Sequence, residues 1–256
     1  MNGGLMSLTG LPDGEPGGAP MKSGLAITDL LTDMYATSAI LAALEHRHIS
    51  GAGQYIDMSL LDCIVAINSH QALNYFLSGK IPQRVGNARP NMVPYQVFHC
   101  KEGDLSIAVG NDAQYAAYCN AIGREHLATD PMYRTGPQRN HNRATLIPLL
   151  AEAMQAKTMR KWITLLELKN VPCGPIYNME EVFEDPQVCH RNMHLSLPHS
   201  AGVDAPSIAN PIRLSDTPIQ YQDSAPQLGE HNDATLQQRL GLSVERMAEL
   251  QAKGII

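Results

Sequence analysis

Residues 95–109 read YQVFHCKEGDLSIAV, and this stretch decides the fold class. Its two halves, Tyr95 to Cys100 and Leu105 to Val109, have the length and apolar character of short β-strands. Between them, the sequence KEGD supplies polar residues and a glycine, which are typical of a tight turn. The spacing therefore predicts a β-hairpin.

Downstream of the hairpin the apolar residues recur with helical spacing. The pattern predicts helices at about Asp112 to Ile122, Arg143 to Gln155, Thr158 to Lys169 and Met179 to Phe183, a Pro-rich and partly extended stretch from Leu195 to Pro218, and two short helices at about Asp233 to Leu240 and Ser243 to Lys253. No internal repeat is present. The sequence thus predicts a mixed α+β chain.

Upstream of the hairpin the first two dozen residues are rich in Gly and Pro, which predicts a loop. From Thr28 to about His46 the sequence is apolar on almost every side, which predicts a buried helix. Asp57 or Ser59 can start a second helix that continues to Leu77. Gly79 and Pro82 follow and would end it.

Composition excludes several classes of partner. Apolar residues make up 44% of the 256 residues and charged residues 17%, as in globular proteins. With 19 Lys+Arg against 25 Asp+Glu the net charge is −6, the wrong sign for binding a phosphate backbone. Apolar runs are interrupted by Asp29, Asp33, Asp62 and Asn68 before they reach the ~20 residues of a membrane span. We therefore expect neither a nucleic-acid partner nor a membrane.

Cysteine and histidine usage indicates the compartment and the absence of a metal. The five cysteines are odd in number and form no C-x-x-C pair, and the residues after Met1 do not resemble a secretion signal. Reduced thiols and a cytoplasmic location are predicted. The pairs His46/His48 and His190/His194 lack an evident third ligand, so no metal site is predicted.

Two acidic residues near the start of the first long helix could have either a structural or a catalytic role. Asp29 lies where a helix should begin, so its simplest role is that of an N-cap. Asp33 lies one turn further along, and two carboxylates on a mostly apolar helix are costly unless they are paired or used. A carboxylate in such a setting can also act as a nucleophile. Asn111 and Asp112, after the second strand, could likewise be a helix cap.

A series of short motifs, taken in order, resembles the class III CoA-transferase family, which includes formyl-CoA transferases, carnitine CoA-transferases and α-methylacyl-CoA racemases. The motifs are GLMSLTGLPDGEP at 4–16, Asp29 with Thr32, AAL at 42–44, GAGQYIDMSLLD at 51–62, RVGN at 84–87, PY at 94–95, AVGND at 108–112, DPQV at 185–188, LSDTP at 214–218 and LGEH at 228–231. The resemblance covers the whole chain.

The resemblance implies a reaction and its residues. Asp29 matches the family aspartate that attacks an acyl-CoA thioester, so that CoA passes between small carboxylic acids through an aspartyl-CoA thioester. Coenzyme A or acyl-CoA is then a substrate, and no tightly bound cofactor is expected. The segment Ala88 to Met92 matches the loop that closes over the thioester. The implied CoA contacts are Leu60, Arg84, Asn87, Ala88 and Arg89.

The resemblance also implies an architecture. The expected fold is α/β, with an α+β small domain and a C-terminal return segment, in an interlocked homodimer. Residues 1–77 would end a large-domain segment and hold the nucleophile helix and a linker helix, and residues 78–195 would form the small α+β domain. Residues 196–256 would form the return linker and C-terminal helices that pack on the large domain. The chain resembles the C-terminal portion of the family, without the nucleotide-fold half that supplies most contacts to the CoA adenine and pyrophosphate.

Two departures from the family pattern bear on activity. Asp33 stands where the family usually has Gly, and a second charge would repel the reacting carboxylate. Residues 88–92 read ARPNM rather than the glycine run of the oxalate-active members, so the resemblance does not imply oxalate specificity. An acyl-CoA racemase or epimerase remains the alternative within the family, and a catalytically silent fragment remains the alternative outside enzymes.

Overall fold

The computed structural model describes residues 3–256, which form two compact units that divide between Ile176 and Tyr177. The elements of the first unit are α1 (Leu5–Leu8), α2 (Ile27–Ser50), α3 (Leu60–Ile67), α4 (Ser69–Ser78), β1 (Tyr95–His99), β2 (Asp104–Ala108), α5 (Asp112–Ala121), α6 (Glu125–Thr129), α7 (Gly136–His141), α8 (Arg143–Met154), α9 (Met159–Glu167) and β3 (Cys173–Pro175). The mixture of helix and sheet agrees with the predicted fold class.

The predicted hairpin is confirmed. Strands β1 and β2 pair antiparallel from Tyr95 opposite Ala108 to His99 opposite Asp104. The three-residue strand β3 adds to the other edge of β2, with Leu105 opposite Pro175. Its sequence, Cys-Gly-Pro, contains two residues that disfavour strands, which is why the sequence pattern does not reveal it.

Helices α5, α8 and α9 pack with the sheet around one hydrophobic core. Its fully buried members include Phe98, Leu105, Ile107, Tyr118, Leu146, Leu150, Trp162 and Leu166. The indole Nε1–H of Trp162 donates to the Met154 carbonyl oxygen at 2.7 Å, so this large side chain is buried with its polar atom satisfied. The core thus lies entirely within the part of the first unit that follows the amino-terminal helices.

Helix α2 corrects one prediction about packing. It has the expected position, but none of its 24 residues is buried, and Met34 and Leu41 are 65% and 61% exposed. Among the described residues, helix α3 packs against it. A helix that is apolar on every side needs several packing elements to bury it, and the short helix α3 is too small to cover α2.

Helix α2 also bears on the expectation about membrane spans, because its apolar stretch is longer than the sequence analysis allowed. By length and composition alone it is long and apolar enough to cross a membrane. Two of its acidic residues, Asp29 and Asp33, lie in the first turns, and the stretch from Met34 to Leu44 that follows them has no charged residue before Glu45. Core helices of soluble proteins and signal sequences meet the same two criteria, so the finding does not by itself assign α2 to a membrane.

The single helix predicted to run to Leu77 is two helices. Ser59 caps α3 by accepting a hydrogen bond from the Asp62 backbone N–H at 3.0 Å, as expected. The helix then breaks at Asn68, whose side-chain amide donates to the Gly3 carbonyl oxygen at 2.6 Å, and Ser69 has a φ of 43°. Helix α4 ends at Gly79, which takes the left-handed conformation.

The second unit contains α10 (Met179–Glu184), α11 (Pro186–His190), β4 (His194–Pro198), β5 (Asp204–Ile208), α12 (Asn232–Leu240) and α13 (Val244–Ala252). Strands β4 and β5 pair antiparallel, with His194 opposite Ile208. Asp185 caps α11 by accepting from the backbone N–H groups of Gln187 and Val188. The division into residues 1–77, 78–195 and 196–256 stays a prediction.

Candidate active site

Asp29 lies in the first turn of α2 but is not its cap. The helix begins at Ile27, its N-cap is Ala26, and no side chain caps it. The prediction of Asp29 as N-cap is therefore wrong, because the N-cap, Ala26, lies three residues before it. The first N–H groups of an α-helix have no intrahelical acceptor, so the amino end of α2 favours a negative charge at Asp29.

Asp29 lines a groove of about 520 Å³. The walls come from α1, the loop before α2, the first turn of α2 and Ile64 of α3. The charged residues along it are Lys22 and Asp29, and the remaining lining is apolar side chains, Ser23, Thr28 and glycine. Neither Lys22 nor Asp29 belongs to an ion pair among the described residues. Asp29 is exposed, so a ligand in the groove could reach it.

Asp33 does not line this groove. It lies one turn beyond Asp29 with an exposed side chain, and its backbone carbonyl accepts a hydrogen bond from the Thr37 hydroxyl at 2.9 Å. Because both carboxylates are exposed, water and salt weaken the repulsion between them.

Leu60, a predicted CoA contact, is the first residue of α3. Its side chain is 51% exposed, and the Ser59 cap fixes where the helix starts. Leu60 is therefore presented at the surface on a defined backbone.

Arg84 makes contacts that the sequence did not predict. Its side chain is 9% exposed and pairs with the Asp13 carboxylate, and its Nε donates to the Leu11 carbonyl oxygen at 3.2 Å. The neighbouring Gly86 N–H donates to the Gly10 carbonyl oxygen at 3.0 Å. Arg84 thus fastens the Gly/Pro-rich amino-terminal loop to the segment that precedes the predicted thioester loop.

The predicted thioester loop, residues 88–92, is held from two sides. The Arg89 N–H donates to the Tyr95 carbonyl oxygen at 2.9 Å, and its guanidinium lies 5.2 Å from the Tyr95 ring centroid. Arg143 of α8 donates to the Arg89 carbonyl oxygen at 2.7 Å, and burial lowers the pKa of Arg143. On the other side, the Asn91 amide donates to the Asn74 Oδ1 of α4 at 2.9 Å.

The structure does not bring all the predicted site residues into one cavity. None of Leu60, Arg84, Asn87, Ala88 and Arg89 lines the Asp29 groove. Asn87 is exposed, while Ala88 and Arg89 are partly buried. Sequence reasoning missed Lys22, since a lysine seven residues before Asp29 in a loop has no distinguishing pattern. No group of three or more potential metal ligands occurs among residues 3–256.

Comparison with known proteins defines the class. The profile of CoA-transferase family III matches residues 1–232, and the chain therefore belongs to this family. The structure is also similar to the crystal structure of a CaiB/BaiF family protein from Brucella suis. That similarity has a TM-score of 0.71 at 40% identity and covers 91% of this chain and 59% of the other.

Curated relatives are named as CoA-transferases. The chain is 41% identical over 233 residues to a succinate–glutarate CoA-transferase from Agrobacterium fabrum, which covers 91% of this chain. It is 36% identical over 254 residues to a succinyl-CoA:glutarate CoA-transferase from Homo sapiens, which covers 99% of it. The chain spans 57% of the length of each of these two relatives.

Proposed function

We propose that the protein transfers CoA between small carboxylic acids, with Asp29 as the nucleophile. The observation that carries the proposal is Asp29 itself, which stands at the uncapped amino end of α2 in a groove that a small acyl group could enter. Family membership and the names of the relatives favour transfer over racemisation. Because these names include succinyl-CoA, succinate and glutarate, succinyl and glutaryl groups are the first acyl groups to test as substrates.

In the proposed reaction the Asp29 carboxylate attacks the thioester carbonyl carbon of the donor acyl-CoA. The C–S bond breaks, CoA leaves as a thiolate, and the acyl group and Asp29 form a mixed anhydride. The thiolate then attacks the Asp29 carbonyl carbon, which releases the donor carboxylate and leaves an aspartyl-CoA thioester. The acceptor carboxylate repeats the two steps in reverse, so no proton is gained or lost.

The amino end of α2 would assist this chemistry. Unpaired backbone N–H groups in the first turn can donate to the oxyanion that forms as the thioester carbonyl is attacked. Leu60 and the segment from Arg84 to Arg89 would contact CoA. Arg84 would also contribute to CoA binding indirectly, because it holds the amino-terminal loop through its contacts with Leu11 and Asp13.

An interlocked homodimer and a cytoplasmic location complete the proposal. Support for assembly comes from α2, which leaves apolar residues such as Met34, Leu41 and Ile49 uncovered. Light scattering at micromolar concentration should give the mass of two chains, and a stable monomer would contradict this part.

The function is tested by the Asp29→Asn variant. Transfer of CoA from succinyl-CoA to glutarate should fall by roughly 10³-fold or more, because a neutral amide cannot attack a thioester. The matched control is Asp33→Asn, one turn further along α2 and outside the groove, which should keep the rate. Incubation with acyl-CoA and hydroxylamine, followed by mass spectrometry, should place the modification on Asp29.

Retention of full transfer activity in Asp29→Asn, or modification of a different carboxylate, would overturn the assignment. Absence of any CoA transfer by the unaltered protein would overturn the proposed function.

A further inference from the structure

The groove at Asp29 holds one positive side chain that the proposed reaction does not use. Lys22 lines it together with Asp29, across a lining that is otherwise uncharged. We propose that Lys22 binds the second carboxylate of a dicarboxylic acyl group whose reacting carbonyl lies at Asp29. This assignment rests on the proposed function and names its substrate class.

The charges of the groove favour this role. A lysine paired with Asp29 would neutralise the nucleophile, but no ion pair among the described residues includes Lys22. Arg84, by contrast, is engaged with Asp13 and the Leu11 carbonyl and does not line the groove. Lys22 is therefore the cation that the described lining offers to an anionic ligand.

The remaining walls fit the rest of such a ligand. Leu5, Met6 and Ile64 present apolar side chains to the groove, and these suit the methylene chain of a short dicarboxylate. The two carboxyl carbons of glutarate are separated by four single bonds of about 1.5 Å each. In the extended, zigzag chain the straight-line distance between these two carbons is about 5 Å. The groove volume of about 520 Å³ exceeds what this ligand needs and falls in the range of small-molecule sites.

Selectivity follows from the same contacts. A carboxylate placed against apolar walls loses part of its hydration, and an opposite charge offsets that cost. The ammonium group of lysine is a compact charge on a flexible stem, so it can meet second carboxylates at the distances of both succinate and glutarate. A monocarboxylate such as butyrate, which has the alkyl chain without the second carboxylate, gains nothing from Lys22.

The kinetic test compares two acceptors in one assay. For Lys22→Met, kcat/KM with glutarate should fall at least tenfold relative to kcat/KM with butyrate, because methionine keeps much of the stem and removes the charge. Lys22→Arg should restore most of the ratio. The matched control is Lys169→Met, an exposed lysine outside the groove, which should leave the ratio unchanged.

Failure of this assignment is distinguishable from failure of the proposed function. If the unaltered protein transfers CoA and Lys22→Met leaves the glutarate-to-butyrate ratio unchanged, the role of Lys22 is overturned and the function stands. An equal loss with both acids would also overturn it, since it would place Lys22 on the CoA moiety. If the unaltered protein transfers CoA to no acid, the function and this assignment fall together.

A binding measurement gives a readout that needs no turnover. Titration with glutarate should shift the methyl resonances of Met6 and Ile64 in a saturable way, and butyrate should shift them less. Lys22→Met should abolish the difference between the two acids, whereas Lys169→Met should preserve it. Equal shifts by both acids in the unaltered protein would contradict the assignment.

Discussion

Helix α2 and helix α8 show that similar sequence chemistry leads to opposite packing. Both helices are rich in Leu, Ile and Ala. In α8, Leu146, Leu150 and Met154 are fully buried, whereas no residue of α2 is buried. Helix α8 packs against β1 within a core that α5 and α9 complete, while α2 packs against α3. The burial of a helix therefore depends on the elements that pack against it as much as on its own residues.

The contrast also separates stability from chemistry. The region around β1 to β3 contains the buried core, and α2 contains the proposed nucleophile at its amino end. Asp29 and Lys22 lie where few apolar side chains are covered, so their substitution should change activity more than folding. The predictions below test this division.

The largest effect on stability should come from one pair of identical substitutions. Leu150→Ala should lower the free energy of unfolding by about 2–5 kcal/mol, because Leu150 is fully buried and its removal leaves a cavity. In the dissociated single chain, Leu41→Ala in α2 should change it by less than about 0.5 kcal/mol, because Leu41 is 61% exposed there. In the proposed homodimer the loss should be larger wherever the partner covers Leu41. Urea unfolding of both variants measures the contrast. Equal losses would show that α2 is covered in solution.

The next effect concerns Arg139, a buried cation in the core region. It donates to the Val93 carbonyl oxygen at 2.7 Å and to the Asp112 carboxylate at 2.8 Å, and its guanidinium lies 4.3 Å from the Tyr115 ring centroid. Arg139→Met should cost about 2–3 kcal/mol, because buried carbonyl groups lose their donor.

Thermal unfolding of Arg139→Met should be compared with that of Arg134→Met, whose arginine is exposed. The Arg134 variant should stay close to the unaltered protein. A loss of equal size in both variants would mean that the cost comes from surface charge rather than from the buried contacts.

A smaller effect is expected at the two helix starts. Asn111 caps α5 by accepting a hydrogen bond from the Gln114 N–H at 2.9 Å, as the sequence allowed, whereas Ala26 gives α2 no side-chain cap. Asn111→Ala should lower stability by about 1 kcal/mol, and Asn111→Asp should preserve it. Ala26→Gly should leave stability nearly unchanged, and a loss as large as that of Asn111→Ala would contradict the difference in capping. Denaturant titration of the three variants decides this.

The smallest effect is a pH dependence confined to the core region. Burial raises the pKa of the Cys100 and Cys119 thiols from 9.0 to about 11, so the folded state binds protons that the unfolded state loses first. Stability contributed by these thiols is full below pH 9 and declines as the pH rises towards 11. At pH 9 the loss should be about 0.4 kcal/mol for each thiol.

Melting temperatures measured from pH 7 to pH 10 should show this decline. The double variant Cys100→Ala, Cys119→Ala should show a smaller decline than the unaltered protein. Identical pH profiles would exclude these thiols as the cause.

Much of the fold could be predicted from local pattern. The hairpin, helices α5, α8, α9, α10, α12 and α13, and the caps at Ser59 and Asn111 follow from spacing and turn chemistry, which act within a few residues. The short helices α1, α6, α7 and α11 and strand β3 escaped prediction, and α1 lies within the amino-terminal segment for which the sequence predicts a loop. Elements this short hold little periodicity, although the sequence pattern does predict the six-residue helix α10. The break occurs at Asn68, whose side chain contacts Gly3, 65 residues away in sequence.

The sequence by itself determined the family, the identity of Asp29 as the candidate nucleophile and the alternation of helix and strand, since these reside in residue types and their spacing along the chain. Only the tertiary structure decided that α2 begins at Ile27, that Arg84 holds the amino-terminal loop, and that Lys22 and Asp29 share one groove. These features depend on contacts between segments that are far apart in sequence. Helix and strand propensity is set by residues a few positions apart, whereas grooves and ion pairs form only when burial and hydrogen bonding bring distant segments together.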